Sequence, residues 1–223
     1  LLDICKSLSN DSTIAIDVDG DKARITSGRN RFSLTTLPAN DFPSINDLEF
    51  IHEIQLPQLS LKQAIDKTSF AMAHQDVRYY LNGLLLELNS GLLKAVATDG
   101  HRLAYCEKTI DIDIVEAKQV IVPRKGILQL SKLLEESDEQ ITLRLGNNHI
   151  QIELDHLKFT SKLIDGRFPE YDRVMPEKAE TLVSVNRIAL KEALNRASIL
   201  SNEKFRGIRL ELENNLIKLL SNN

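Results

Sequence analysis

Apolar and polar residues alternate through STIAIDVDGDKARIT (12–26): Ile14, Ile16 and Val18, a polar Asp-Gly-Asp, then Ala23 and Ile25. A period of two on both sides of a polar turn predicts a β-hairpin. The same pattern returns 127 residues later in EQITLRLGNNHIQIE (139–153), with Ile141, Leu143 and Leu145, a Gly-Asn-Asn turn, and Ile150 and Ile152. Elsewhere the spacing becomes helical. In LKQAIDKTSFAM (61–72), Leu61, Ala64, Ile65 and Met72 fall on one stripe, and Ser60 with Gln63 reads as a capping box at its start. A second helix is predicted after Pro123, burying Ile127, Leu130 and Leu134. A third follows Asn186 as N-cap and buries Leu190, Ala193, Leu194 and Ala197.

These elements repeat. LKEALNRASILS (190–201) matches LKQAIDKTSFAM at an offset of 129, and GIRLELENNLIKLLS (207–221) matches GLLLELNSGLLKAVA (83–97) at an offset of 124. Phe42-Pro43 and Phe168-Pro169 coincide at an offset of 126. One unit of roughly 125 residues therefore runs from about His52 to about Ala179, with a trailing half-unit before it and a leading half-unit after it. The division expected is 1–52, 53–180 and 181–223, each unit combining two helices with antiparallel sheets in an α+β fold.

Lys62, Lys67, Arg124, Lys125, Arg187, Lys191 and Arg196 lie off the apolar stripes of the three helices. A solvated face explains such residues in a single helix. Their recurrence in two copies, Lys62 with Lys191 and Lys67 with Arg196, makes a charged working face an equal alternative. The formal net charge of −4 rules out coating nucleic acid through bulk positive charge, so any contact with it needs a local basic face. The chain has 223 residues, 42% apolar and 27% charged, which is globular rather than disordered. Two cysteines, Cys5 and Cys106, make no disulfide framework and point to a reducing, cytoplasmic setting. No apolar run is long enough for a membrane helix, and neither a signal peptide nor a membrane partner is expected. The start at Leu1 and the stop at Asn223 within a strand pattern suggest a fragment cut at both ends.

The stretch most like an active site is ATDGHRLAYCE (97–107), which gathers Asp99, His101, Arg102 and Cys106. Its spacing matches no zinc pattern, and no other histidine forms a His-x-x-x-His pair. Cys106 sits in an alternating run, as a buried small hydrophobe on a strand does. IDVDGDK is no calcium loop, because Gly20 falls at the fourth loop position and Gly28 stands in place of the closing Glu. Phosphate-binding glycine motifs and nucleophile elbows are absent. No metal, cofactor or catalytic residue is expected. Thr98-Asp99-Gly100 reads instead as a strand–turn–strand bend, either an ordinary hairpin turn or a rigid display for His101, Arg102 and Leu103.

Read together, ATDGHRLA, AHQDVRYYLNG (73–83), VIVPRKG (120–126), FTSKLIDGRFPEY (159–171), SNEKFRG (201–207) and SGRNRFSLTTLP (27–38) resemble the bacterial DNA polymerase III beta subunit, or sliding clamp, family across nearly the whole chain. The resemblance implies three repeated clamp domains and a head-to-tail homodimer closing into a ring around double-stranded DNA. It implies a processivity factor rather than an enzyme. The helix cations named above become candidates to meet phosphates, and Gln75, Arg78, Tyr79 and Tyr80 join them, although sheet packing explains one of the two tyrosines equally well. It also implies a pocket for Gln-Leu-x-Leu-Phe peptides of the polymerase III alpha subunit, the clamp loader, other polymerases and repair proteins. Its wall would take Leu81, Thr98, Gly100, His101, Arg102, Leu103, Pro169, Arg173 and Val174. The family's third-domain C-terminal tail, which completes that pocket, is absent from the sequence. The subunit interface would set Phe32 and Leu34 against Ile199 and Leu200 of a partner. An alternative keeps the peptide-binding role for a fragment that cannot close a ring.

Overall fold

Both alternating stretches fold as antiparallel hairpins. They appear in a computed structural model that describes residues 1–42, 48–112, 117–176, 181–199, 201 and 207–221. The chain divides into two units, Leu1–Pro169 and Glu170–Asn223. The first unit opens with α1 (Leu2–Ser7) and a sheet of β1 (Ala15–Asp19), β2 (Lys22–Ser27) and β3 (Asn30–Thr35), in the order β1-β2-β3. There follow β4 (His52–Pro57), α2 (Gln58–Thr68), β5 (Gly83–Asn89), β6 (Leu92–Thr98), β7 (Leu103–Thr109), β8 (Lys118–Pro123), α3 (Arg124–Leu133), β9 (Gln140–Leu145), β10 (His149–Leu154) and β11 (Leu157–Lys162). These strands make two four-stranded antiparallel sheets, β11-β10-β9-β4 and β7-β6-β5-β8. They meet just beyond β11, where the Ile164 amide donates to the Ile121 carbonyl of β8 at 2.8 Å.

The α2 and α3 stripes bury against these sheets as their spacing predicts. Leu61, Ala64 and Ile65 of α2 and Ile127 and Leu130 of α3 are fully buried. They share one core with Leu84, Leu86 and Leu88 of β5, Leu93, Ala95 and Ala97 of β6, and Leu143, Ile150 and Ile152 of β9 and β10. Fully burying a branched or aromatic side chain of this kind contributes about 1.5–3 kcal/mol, so this layer dominates the stability of the unit. The opposite side of β5, β6 and β8 also buries Leu85, Val96 and Ile121. Strands covered on both faces read as near-continuous apolar runs rather than alternation, as GLLLELN does.

The expected capping box does not form. Helix α2 starts at Gln58 directly after Pro57, which places Ser60 inside the first turn, and no side chain caps it. Its first amides bond instead to the loop after α3: Gln58 N–H to the Glu139 carbonyl at 2.9 Å and Leu59 N–H to the Ser137 carbonyl at 2.8 Å. A distant loop thus satisfies these orphan donors, and the buried Gln58 side chain in turn accepts from that loop's Glu135 amide at 3.0 Å.

The second unit contains α4 (Arg187–Ser198) and the hairpin β12 (Arg209–Glu213) and β13 (Leu216–Leu220). Asn186 caps α4 as predicted, its Oδ1 accepting from the Ile188 and Ala189 amides at 3.0 Å. The expected burial of Leu190, Ala193, Leu194 and Ala197 is not reached: no α4 residue is buried and these four are half-buried. Helix α2 lies against β6 and β7, whereas α4 lies against β13, the counterpart of β6. No counterpart of β7 covers α4 among the described residues. The turns of the repeat do correspond. Gly91 (φ +76°) between β5 and β6 and Asn215 (φ +55°) between β12 and β13 occupy the same position in left-handed backbone, where glycine and asparagine are tolerated.

Candidate functional site

The bend at Thr98–Leu103 is a four-residue connection, since Thr98 and Leu103 are paired across β6 and β7. Asp99 organises it. Its Oδ1 accepts from the His101 and Arg102 amides at 3.0 Å, and its Oδ2 accepts from Arg102 Nε at 3.1 Å. Thr98 Oγ1 accepts from the Gly100 amide at 3.0 Å and donates to the Arg102 carbonyl at 2.7 Å. Such side chain to backbone bonds let a short polar residue fix a turn that strand pairing cannot. Burial pushes the Asp99 carboxyl up, but the two amides and the Arg102 guanidinium outweigh it and hold it below the usual range. Arg102 also reaches back to the turn that follows α2, donating to the Phe70 carbonyl at 2.8 Å with its guanidinium 5.5 Å from the Phe70 ring centre.

The HQDVRYY segment packs against this bend. Arg78 grips Asp76 with both arms, Nε to Oδ1 at 3.0 Å and a terminal nitrogen to Oδ2 at 2.9 Å, and that same nitrogen donates to the Asp99 carbonyl at 3.3 Å. The Arg78 hydrogen bonds, from side chain and then backbone, lower the Asp76 pKa to about 2. Gly100 is required where the two segments meet. Its φ is +86°, and a Cβ there would lie 2.9 Å from both terminal nitrogens of Arg78. Gln75 sits in left-handed backbone at φ +57°, a strain that persists only where its surroundings impose it. Tyr79 and Tyr80 meet edge to face at 5.8 Å; Tyr79 is exposed, Tyr80 is half-buried, and both flank Gly166.

The residues expected to act together are thus partly assembled and partly not. Gly100, His101 and Arg102 are exposed on the bend, with Thr98 and Leu103 half-buried at its base. Leu81, expected on a pocket wall, is 2% exposed and supports the loop from beneath, because the strand that follows carries it into the core. Pro169 is exposed at the end of the first unit. In the second unit Arg173 pairs with Glu170 at 2.6 Å and Val174 is exposed. Of the helix cations, Lys62 bonds to Asp66 at 3.3 Å and to the Ser131 carbonyl at 3.3 Å, and Arg124 donates to the Met72 carbonyl at 3.0 Å. Both are engaged in holding elements together. Lys67, Lys125, Arg187 and Lys191 are exposed, and Arg196 pairs with Glu192 at 3.8 Å. Phe32 and Leu34 are half-buried on β3, an edge strand, and Ile199 is exposed; Leu200 lies outside the described residues, as does most of SNEKFRG. His101 is exposed while Cys106 is buried in the core, so the two do not meet. Among the described residues no three His, Cys, Asp or Glu side chains gather as metal ligands would.

Sequence reading missed Asp76, Asn82 and Phe70, which hold the site from outside the motif. Their only signal is an Asp and an Asn bracketing a loop, too common a pattern to single out.

Known proteins with this architecture are closely related. Residues 1–46, 55–170 and 172–223 match the N-terminal, central and C-terminal domains of the DNA polymerase III beta subunit, in that order. The chain is 53% identical to the beta sliding clamp of Pseudomonas aeruginosa over 223 residues, all of this chain and 61% of that protein. It is 47% identical to that of Escherichia coli over 99% of this chain and 60% of that one. The crystal structure of the Pseudomonas aeruginosa polymerase III subunit beta superposes with a TM-score of 0.89, covering 100% of this chain and 61% of that one. The structure of the clamp bound to griselimycin does so at 0.88, covering 100% and 60%. The chain therefore spans about three fifths of the length of these relatives, and among the described residues no helix is long and apolar enough to cross a membrane. By these matches, and by the repeated α+β units that carry them, the chain belongs to the DNA polymerase III beta subunit family.

Proposed function

We propose that this chain is part of a cytoplasmic DNA sliding clamp, a non-enzymatic processivity factor that tethers polymerases to duplex DNA. The observation that carries the reading is the succession of three beta-subunit domains along the whole chain, matched by its internal repeat. In this reading 1–52 is the end of one clamp domain, 53–180 a whole one and 181–223 the start of a third. The bend at Thr98–Leu103 serves as a docking surface for short partner peptides. An exposed rigid turn with a few fixed polar groups beside an apolar strand suits an extended peptide with leucine and aromatic anchors. Partners are the polymerase III alpha subunit, the clamp loader, other polymerases and repair proteins.

Lys67 and Lys125 are the best DNA contacts in the first unit, because both are exposed while Lys62 and Arg124 are held by other groups. Arg187, Lys191 and Arg196 take the same role in the second. Contacts of this kind carry no sequence information and release counterions, so binding weakens by roughly 0.9 log units per tenfold rise in salt for each phosphate neutralised. Reversing Lys67 and Lys125 to Glu is expected to flatten the dependence of duplex affinity on salt. An unaltered slope removes these residues from the DNA path. Ring closure through Phe32 and Leu34 against Ile199 and Leu200 predicts a dimer in light scattering whose population rises with concentration. A monomer at all concentrations favours the peptide-binding module without a ring. Titration with a Gln-Leu-Ser-Leu-Phe peptide tests the docking reading itself, and the absence of binding overturns it.

A further inference from the structure

Between Ala73 and Asn82 the chain is pinned by a latch centred on the Asn82 side chain. The Asn82 side chain holds both polar groups of one peptide position: its Oδ1 accepts from the Asp76 amide at 2.9 Å, and its Nδ2 donates to the Asp76 carbonyl at 2.8 Å. The backbone closes around it, with Ala73 N–H bonded to the Leu81 carbonyl at 3.0 Å and the Arg124 amide, at the start of α3, bonded to the Asn82 carbonyl at 2.9 Å. From Asp76 the bonding continues outward. Its carboxylate fixes Arg78 in a two-armed grip and also accepts the Arg78 amide at 2.8 Å, and Arg78 reaches the Asp99 carbonyl beside Gly100. The guanidinium occupies the space in which a Cβ of residue 100 would sit. A planar, two-armed cation held in this way has one orientation, which a lysine does not reproduce.

We propose that Asn82 and Asp76 are positioning residues that set the Asp99–Leu103 bend for a partner peptide, acting through Arg78. This inference rests on the peptide-docking reading above. The chain of contacts is contiguous and each link is polar and directional, so loosening the first link frees the last. Arg78 then works as a strut under the bend. The start of α3, where Lys125 stands, is joined to the same latch through the Asn82 carbonyl.

The test uses the whole chain and a fluorescein-labelled Gln-Leu-Ser-Leu-Phe peptide, read by fluorescence polarisation. Asn82→Asp keeps the acceptor and the shape but replaces the donor with an oxygen facing a carbonyl. It is expected to weaken the peptide by about three- to tenfold and to lower the melting curve only modestly. Arg78→Gln is expected to do the same, and the double variant is expected to bind no more weakly than Arg78→Gln alone. The amide resonances of His101 and Arg102 are expected to move in Asn82→Asp, although Asn82 bonds to neither. Parent-like affinity in Asn82→Asp, losses that multiply in the double variant, or unmoved resonances each overturn the proposal. Should Asn82→Asp fail to fold, Asp76→Asn leaves the Asn82 contacts in place, weakens only the Arg78 link, and decides by the same readings. If the parent chain itself does not bind the peptide, the docking reading falls, and the His101 and Arg102 resonances alone decide whether the latch positions the bend.

Discussion

Replacing Gly83 by alanine is expected to lower the stability of the first unit by roughly 3 kcal/mol, at the upper end for inserting a methyl group into a packed interior. The added Cβ would lie 2.7 Å from the Val122 carbonyl oxygen, 2.8 Å from Ile121 Cγ2 and 2.9 Å from Ile164 Cδ1. The first of these is backbone in the neighbouring strand β8, which cannot swing aside as a side chain end can. Relief requires β5 and β8 to part where the Ile164 amide joins the two four-stranded sheets through Ile121. For a chain of this size the loss corresponds to a fall in Tm of about 6–12 °C, measured by the circular dichroism melting curve. The repeat supplies the control. Gly207 is the counterpart of Gly83 at the offset of 124, and among the described residues a Cβ there meets nothing within 4 Å. Gly207→Ala is therefore expected to leave the melting curve unchanged or raise it slightly, through the smaller freedom of the unfolded chain. Equal effects at the two positions contradict the packing described for Gly83.

Asp99→Ala is expected to reduce peptide affinity by more than tenfold, or about 1.4 kcal/mol, while changing global stability little. The substitution removes at once the acceptor of the His101 and Arg102 amides and the partner of the Arg102 guanidinium. The bend is exposed, so its loosened groups find water, and the cost falls on the ordering that peptide binding then requires. Asp99→Asn keeps the acceptor for both amides but turns the Oδ2 that accepts from Arg102 Nε into a donor, so it is expected to restore only part of the affinity. If alanine binds as the parent does, Asp99 does not organise the docking surface. The pH dependence has a definite sign. Because the folded Asp99 pKa is lowered, its contribution is complete above the unfolded value near 3.9 and is lost as pH falls through the folded value. Asp76, at about 2, follows the same sign at still lower pH. Neither carboxylate is thus expected to put a step in the affinity measured between pH 5 and 8, and their contribution is lost only in acid, below the unfolded value near 3.9.

The exposed apolar face of the second unit has a physical reading from the repeat. In the whole unit the α2 stripe is sealed by β6 and β7 together, and Leu61, Ala64 and Ile65 have no exposed surface. In the second unit α4 has the same stripe and the same kind of strand beside it, yet Leu190, Ala193, Leu194 and Ala197 stay half-exposed. Identical helical patterning gives different burial because burial belongs to the neighbours, not to the helix.

What the amino-acid order determined by itself was local and periodic. Alternation placed the hairpins of β1 with β2 and β9 with β10. Helical spacing placed α2, α3 and α4, and Asn186 announced its cap, since a cap joins residues two or three positions apart. Self-similarity exposed the repeat, and long motifs carried the family. What only the tertiary structure decided were bonds between residues far apart in the chain. Ser60 looked like a cap, but the loop at Ser137 and Glu139 reaches α2 first, where the fold brings it. Lys62 and Arg124 looked like free cations until Ser131 and Met72 presented carbonyls to them. The bend at Asp99 reads as one turn in sequence, yet it is held by Phe70 and Arg78 through Asp76 and Asn82. Hydrogen bonds need heavy atoms within about 3 Å in a fixed direction. Sequence spacing implies that proximity within a turn or a helix, and only the packed chain creates it across the sheet.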